Sequence, residues 1–191
     1  MKIAVTGGIG SGKSTVIDII SREGYKTVSL DKVYSELLNN PDFVKEVCKI
    51  TDTLPIEKDG KIALDRAAVA DKVFFDKKIL ANLNDFTHDR IIKAAFEEGG
   101  DDAFYEVPLL FEGSYEKLFD KVIVLMRDKN KRLESAALRD GVSIEKEKKR
   151  AENQYDYENN DLSLHIVIVN DGDLQSLEEK VRKILSEIKQ G

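Results

Sequence analysis

The sequence predicts an α/β fold in three layers around a five-stranded parallel sheet. Three observations predict it. Short apolar runs alternate with helical patterns along the chain. Two of those runs, "KVIVLM" and "HIVIV", are continuously apolar, as strands buried on both faces of a parallel sheet are. The first run, "KIAV", leads directly into the glycine-rich "TGGIGSGKST" and then into a helical pattern.

The elements follow in order. "KIAV" is the first strand, and a helix from Ser14 to about Arg22 ends at Gly24. "YKTVSL" is a second short strand. From Asp31 to about Phe96 the pattern is almost wholly helical, with apolar sets at Val33, Leu37 and Leu38, at Phe43, Val44 and Val47, at Val69, Val73 and Phe74, and at Leu80, Leu83 and Phe86. The turn residues of "TDTLPIEKDGK" interrupt it. "AFYEVPLL" is a third strand, closed by Pro108. Two charged helices, near Asn130–Leu138 and Ile144–Tyr157, separate the last two strands, and an amphipathic helix through Leu177, Val181 and Ile188 ends the chain. The expected organisation is one domain over 1–191, with a core of 1–31, 99–127 and 161–191 and two oversized helical segments, about 32–98 and about 128–160. Insertions of this kind sit at the carboxyl ends of strands, where open α/β sheets bind ligands, and they suit an acceptor-binding flap and a lid.

Composition excludes some classes. A net charge of −6 with mixed signs argues against a nucleic-acid surface. No stretch approaches the roughly 20 apolar residues that span a bilayer, so no membrane partner is expected. No signal peptide is read at the N-terminus, and the single cysteine, Cys48, in a helical apolar pattern, reads as a buried core thiol; a cytoplasmic location is the expectation. No oligomeric state follows.

Gly7 to Ser14 match G-x-x-x-x-G-K-[ST] in full, between a strand and a helix. Such a loop aims successive backbone N–H groups into one concavity and adds the positive end of the helix, so it holds phosphate. Gly8, Gly10, Ser11, Gly12 and Lys13 are expected to hold the phosphates of a nucleoside triphosphate, with Ser14 as a Mg²⁺ ligand and Thr15 as ordinary helix N-terminal packing beside them. The chain has no guanine-reading Asn-Lys-x-Asp and is short for a motor, so helical insertions able to close over a small acceptor favour a kinase. Asp31 reads equally as a carboxylate that takes a proton from the attacking hydroxyl and as a helix N-cap. Glu106 reads as a Mg²⁺ contact or, slightly preferred, as a sheet-edge or core-paired acid. Arg66 and His88 could face substrate or solvent, and Arg139 could serve the helix C-terminus or neutralise transferring phosphate.

Together these residues resemble the dephospho-coenzyme A kinase family, a group of P-loop kinases, over nearly the whole chain. The resemblance rests on "TGGIGSGKST", on "VSLDKVY", on Asp59-Gly60 with Leu64-Asp65-Arg66 and Val73-Phe74, on His88, on "VPLLFE", and on Arg139, Gln154 and Asn170-Asp171-Gly172. It implies transfer from ATP to the ribose 3′-hydroxyl of dephospho-coenzyme A. Asp31 would be the catalytic carboxylate, Lys13 and Mg²⁺ would carry phosphate charge, Arg139 would close from the lid, Arg66 and His88 would meet the acceptor, and Asn170 would lie on the adenine side. A kinase for another small hydroxyl compound, and a nucleotide-binding module without transfer, stay open as alternatives. The chain departs from the family pattern at Ser29, Ser35, Asp89, Arg132 and Ser135, and in the acidic "YDYENNDLSLH".

Overall fold

In the computed structural model, which describes residues 1–190, the chain divides into two compact units, Met1–Ser29 with Gly99 onward, and Leu30–Glu98. The first unit is an α/β fold built on five strands: β1 (Lys2–Gly7), β2 (Thr27–Ser29), β5 (Ala103–Glu106), β6 (Lys121–Met126) and β7 (Ile166–Val169). Their order is β2-β5-β1-β6-β7, with every neighbouring pair parallel. Parallel neighbours cannot be joined by a tight turn, so each strand delivers its carboxyl end to the same edge of the sheet. The loops that follow Gly7, Glu106, Met126 and Val169 therefore share one rim.

One sheet face is covered by α1 (Lys13–Arg22) and α8 (Leu174–Gln190). Ile3, Val5, Phe104, Ile123, Leu125 and Ile168 from the strands meet Val16, Ile19 and Ile20 from α1 and Leu177, Val181 and Leu185 from α8 in one apolar core. Both helices present apolar residues at three- and four-residue spacing, which is why each lies flat on the sheet. After β6 come α6 (Lys129–Asp140), capped by the Asp128 carboxylate, and α7 (Ile144–Ala151), capped by Ser143.

The Leu30–Glu98 unit holds α2 (Leu30–Leu37), α3 (Pro41–Thr51), α4 (Arg66–Phe75) and nearly all of α5 (Lys77–Gly99), together with a two-stranded antiparallel hairpin, β3 (Ile56–Lys58) and β4 (Lys61–Ala63). Phe43, Val47 and Val69 centre its core, with Tyr34, Val73, Leu83 and Phe86 packed on them. Cys48 is buried and unpaired on α3, the core thiol expected of it. α5 runs from Lys77 to Gly99, 23 residues. It passes His88-Asp89 without a break, because Asp89 supplies the backbone N–H that a proline would lack. Among the described residues no helix is long and apolar enough to cross a membrane.

Several boundaries differ from the sequence reading. "TDTLPIEKDGK" is more than an interruption: Asp59 and Gly60 have φ of 51° and 71° and close the hairpin. Asp-Gly between alternating residues is the signal for such a turn. The second strand is shorter than "YKTVSL" because Leu30 already starts α2, and the third ends at Glu106, four residues before Leu110. The second charged helix stops at Ala151, and Glu152–His165 is turns. Phe74, assigned to the apolar set of its helix, is 80% exposed, while Val69 is buried.

Candidate functional site: the phosphate loop and its surroundings

The loop between β1 and α1 is short and constrained. Gly10 and Gly12 have φ of 74° and 101°, conformations that L-residues with a Cβ avoid. Each is also in close contact. A Cβ on Gly10 would run into the carbonyl oxygen of Arg132 on α6, and one on Gly12 would lie 2.5 Å from Nδ2 of Asn170. Gly12 precedes α1 without a side-chain cap, so the first N–H groups of that helix open toward the concavity of the loop.

Lys13 folds its ammonium back on the loop, donating to the carbonyl oxygens of Gly7 at 2.8 Å and Gly8 at 3.1 Å. Ser14, one residue into α1, donates its hydroxyl to Oε1 of Glu106 at 2.7 Å. Glu106 ends β5 and is only 9% exposed. It sits between Ser29 and Val5 in the ladder, so of the sheet-edge and core-paired readings the first is corrected, its strand being paired on both sides, and the second agrees with its burial and its bond to Ser14. Thr15, read as helix N-terminal packing, is exposed in the first turn of α1. The buried Ser11 Oγ has no hydrogen-bond partner among the described residues.

Segments far away in sequence complete the rim. Asn170, just after β7, donates from Nδ2 to the Ser11 carbonyl at 2.8 Å, and its own N–H continues the ladder to Met126. Gln154 accepts the Ile9 N–H at 2.8 Å through Oε1. Arg127 donates to the Gly10 carbonyl at 3.2 Å and to Ser135 Oγ at 3.1 Å. Arg127 carried no signal in the sequence, since a lone arginine after a strand is unremarkable. Behind the loop, Thr6 Oγ1 is 3.3 Å from the hydroxyl of Tyr157, which burial pushes up to about 12. Tyr155 stacks on Phe111 of "VPLLFE" with ring centres 4.6 Å apart, and its N–H donates to Glu112. The acidic stretch is thus anchored by its aromatic residues.

Arg139 lies in the last turn of α6. Its guanidinium holds the adjacent Asp140 with two bonds, 2.7 and 3.0 Å, and Arg150 holds the same carboxylate. The Arg139 hydrogen bond first, and Arg150 with it, pull Asp140 down to about 2, and the same bond raises Arg139.

The remaining candidates lie in the Leu30–Glu98 unit, each on a different helix. Asp31 is in the first turn of α2, inside the helix rather than at its cap, and its backbone carbonyl accepts the Ser35 hydroxyl at 2.9 Å. The N-cap reading of Asp31 is therefore corrected. Arg66 is the exposed first residue of α4, behind the Asp65 cap. His88 is half-buried on α5; burial lowers its pKa, opposed by the charges of Asp85 and Asp89.

The donor set fits a nucleoside triphosphate: a glycine cradle that a side chain would fill, an unpartnered buried hydroxyl, a lysine and a helix N-terminus. The Ser14–Glu106 pair fits Mg²⁺, a hard cation held by one or two protein oxygens beside phosphate.

The family model described as dephospho-CoA kinase matches residues 1–176. The chain is 32% identical over 192 residues to a dephospho-CoA kinase of Chlorobaculum tepidum, covering 95% of this chain and 92% of that one. It is 31% identical to that of Fusobacterium nucleatum, covering 98% of both. Among solved structures it is similar to TT1252 from Thermus thermophilus, with a TM-score of 0.82 at 29% identity over 98% of this chain and 97% of that one. It is also similar to the dephospho-CoA kinase from Campylobacter jejuni, with a TM-score of 0.69 at 31% identity over 100% and 99%.

Proposed function

The chain belongs to the dephospho-CoA kinase family, and from that premise we propose that it transfers the γ-phosphoryl group of ATP to the ribose 3′-hydroxyl of dephospho-coenzyme A, giving coenzyme A and ADP. The observation that carries the donor half is the glycine cradle: Gly10 and Gly12 in left-handed conformations, backed by Arg132 and Asn170, immediately before the helix that begins at Lys13.

Within this reading, Gly8, Gly10, Ser11, Gly12, Lys13, Ser14 and Thr15 receive the phosphates through backbone N–H groups and the helix end. Lys13 leaves the Gly7 and Gly8 carbonyls to meet phosphate oxygens, a charge-assisted exchange that favours bound nucleotide. Ser14 and Glu106 would hold Mg²⁺, which when bound supplies positive charge to the phosphate oxygens. Asn170 keeps the loop in register through the Ser11 carbonyl and stands on the adenine side. Asp31 accepts or orients the proton of the attacking hydroxyl, Arg66 and His88 contact the acceptor, and Arg139 exchanges Asp140 for the transferring phosphate. Segments about 32–98 and about 128–160 act as acceptor flap and lid, excluding water from the transfer. The unpaired buried thiol of Cys48 is compatible with the reducing cytoplasm, where we infer the reaction takes place.

The test is ATP consumption against a panel of acceptors: dephospho-coenzyme A, nucleosides, nucleotides and small hydroxyl compounds, with Lys13→Ala as the blank. Turnover confined to dephospho-coenzyme A, and lost in the blank, is the expected result. Turnover on a different acceptor reassigns the substrate, and none on any acceptor leaves a binding module.

A further inference from the structure

We propose that Arg132 is a further phosphate-contacting residue of the donor site, held at the mouth of the loop by Glu158; this rests on the ATP-dependent reading above. The guanidinium of Arg132 lies against Gly8. Measured from where a Gly8 Cβ would stand, Nη1 is at 3.0 Å, Cζ at 3.4 Å and Nε at 3.8 Å. Any larger residue at position 8 would push it away. The backbone of the same residue closes on Gly10, so one turn of α6 is fitted to two glycines of the loop. The side chain is therefore carried on a rigid element at a fixed place over the loop.

Three other cations of the site are engaged. Lys13 donates to two loop carbonyls, Arg127 to the Gly10 carbonyl and Ser135, and Arg139 to Asp140. Arg132 differs. Its side chain is only 14% exposed, yet its contact with Glu158 Oε1 is 3.8 Å, beyond hydrogen-bond length, and among the described residues its guanidinium makes no hydrogen bond. A mostly buried side chain whose guanidinium carries five donors and has one loose counter-ion keeps donors available to an anion. A phosphate oxygen entering the loop would replace that loose pair with direct charge-assisted bonds. Beside it lies a cavity of about 190 Å³, lined by Lys129, Lys148, Gln154 and Glu158 as well as Arg132, which gives the side chain room to turn. Glu158 then has a defined part: it balances Arg132 in the empty site without capturing its donors.

The experiment is calorimetric titration of the whole protein, with Mg²⁺, using the β,γ-imido analogue of ATP and separately adenosine. Arg132→Met should bind the triphosphate about 10- to 100-fold more weakly, the worth of one hydrogen bond to a charged group, with adenosine affinity unchanged. Arg132→Lys should recover part of the loss. Glu158→Gln should bind the triphosphate more tightly than the parent, because a competitor for the cation is gone. Should Arg132→Met melt early, Arg132→Gln carries the same comparison. Equal triphosphate affinity in parent and variant overturns the proposal. So does an equal loss for adenosine and triphosphate that lysine does not recover, since that marks a packing role. A parent protein that binds adenosine but no triphosphate overturns the donor reading of the loop itself, and this proposal with it.

Discussion

The hydroxyl of Ser14, at the start of α1, donates to the carboxylate of Glu106, at the end of β5, over 2.7 Å. The two residues are 92 positions apart, and the strand order brings them together: β5 lies beside β1, whose loop leads into α1. Glu106→Gln keeps an acceptor for Ser14 and removes the charge. The Mg²⁺ concentration for half-maximal activity should rise about 10- to 100-fold, the usual cost of disturbing a group that supports a metal ligand. Activity titrated with Mg²⁺ measures it, and an unchanged midpoint removes Glu106 from the metal site.

Asp31 is placed in the first turn of α2, where its charge is favourable by about 0.3–1 kcal/mol. Asp31→Asn should therefore lower the melting temperature by no more than about 4 °C. Its kcat should fall by about 10²–10⁴, the contribution of a positioned general base, with ATP affinity retained. Parent-like kcat in an equally stable variant would remove Asp31 from the chemistry.

Gly10 and Gly60 both have φ above 70°, but only Gly10 is crowded. Gly60→Ala costs about 1–2 kcal/mol for its left-handed conformation and should leave nucleotide affinity alone. Gly10→Ala has the same conformational cost and must also displace the Arg132 carbonyl, so it should melt below Gly60→Ala and, at temperatures where both are folded, lose nucleotide binding by more than tenfold. Equal affinity in the two variants would show that the loop tolerates displacement of α6.

His88 supplies a pH dependence. Its folded-state pKa lies below the ordinary 6.5, chiefly because burial penalises the cation. Below pH 6.5 the unfolded chain binds the proton first. The contribution of neutral His88 is therefore complete above that pH and is lost as pH falls toward the folded value. Melts between pH 7.5 and 5.0 should show a decline that His88→Gln makes shallower. Identical slopes would mean other groups carry it.

Much of the frame was legible along the chain. "KVIVLM" became β6 residue for residue, and α8 followed its apolar spacing, because both patterns are set by side chains a few positions apart. The hairpin at Asp59-Gly60 was equally local and was missed, since the turn residues were read only as a break in a helical region. Of the preferred reading of Glu106 as a sheet-edge or core-paired acid, the core-paired half agrees with the structure and the sheet-edge half failed for a different reason. An edge strand and a central one share the same residues, and only the strand order distinguishes them.

The sequence by itself determined the phosphate loop: strand, glycines, lysine, hydroxyl and helix are contiguous, so their chemistry is fixed by the covalent chain and by the few conformations that glycine alone adopts. Tertiary structure decided what surrounds it. Ser11 with Asn170, Ile9 with Gln154, Ser14 with Glu106 and Gly8 with Arg132 join residues 92 to 159 positions apart. No spacing rule reaches so far. These pairs exist because a parallel sheet in the order β2-β5-β1-β6-β7 gathers the carboxyl ends of its strands on one rim, and that order is settled by packing rather than by any local pattern.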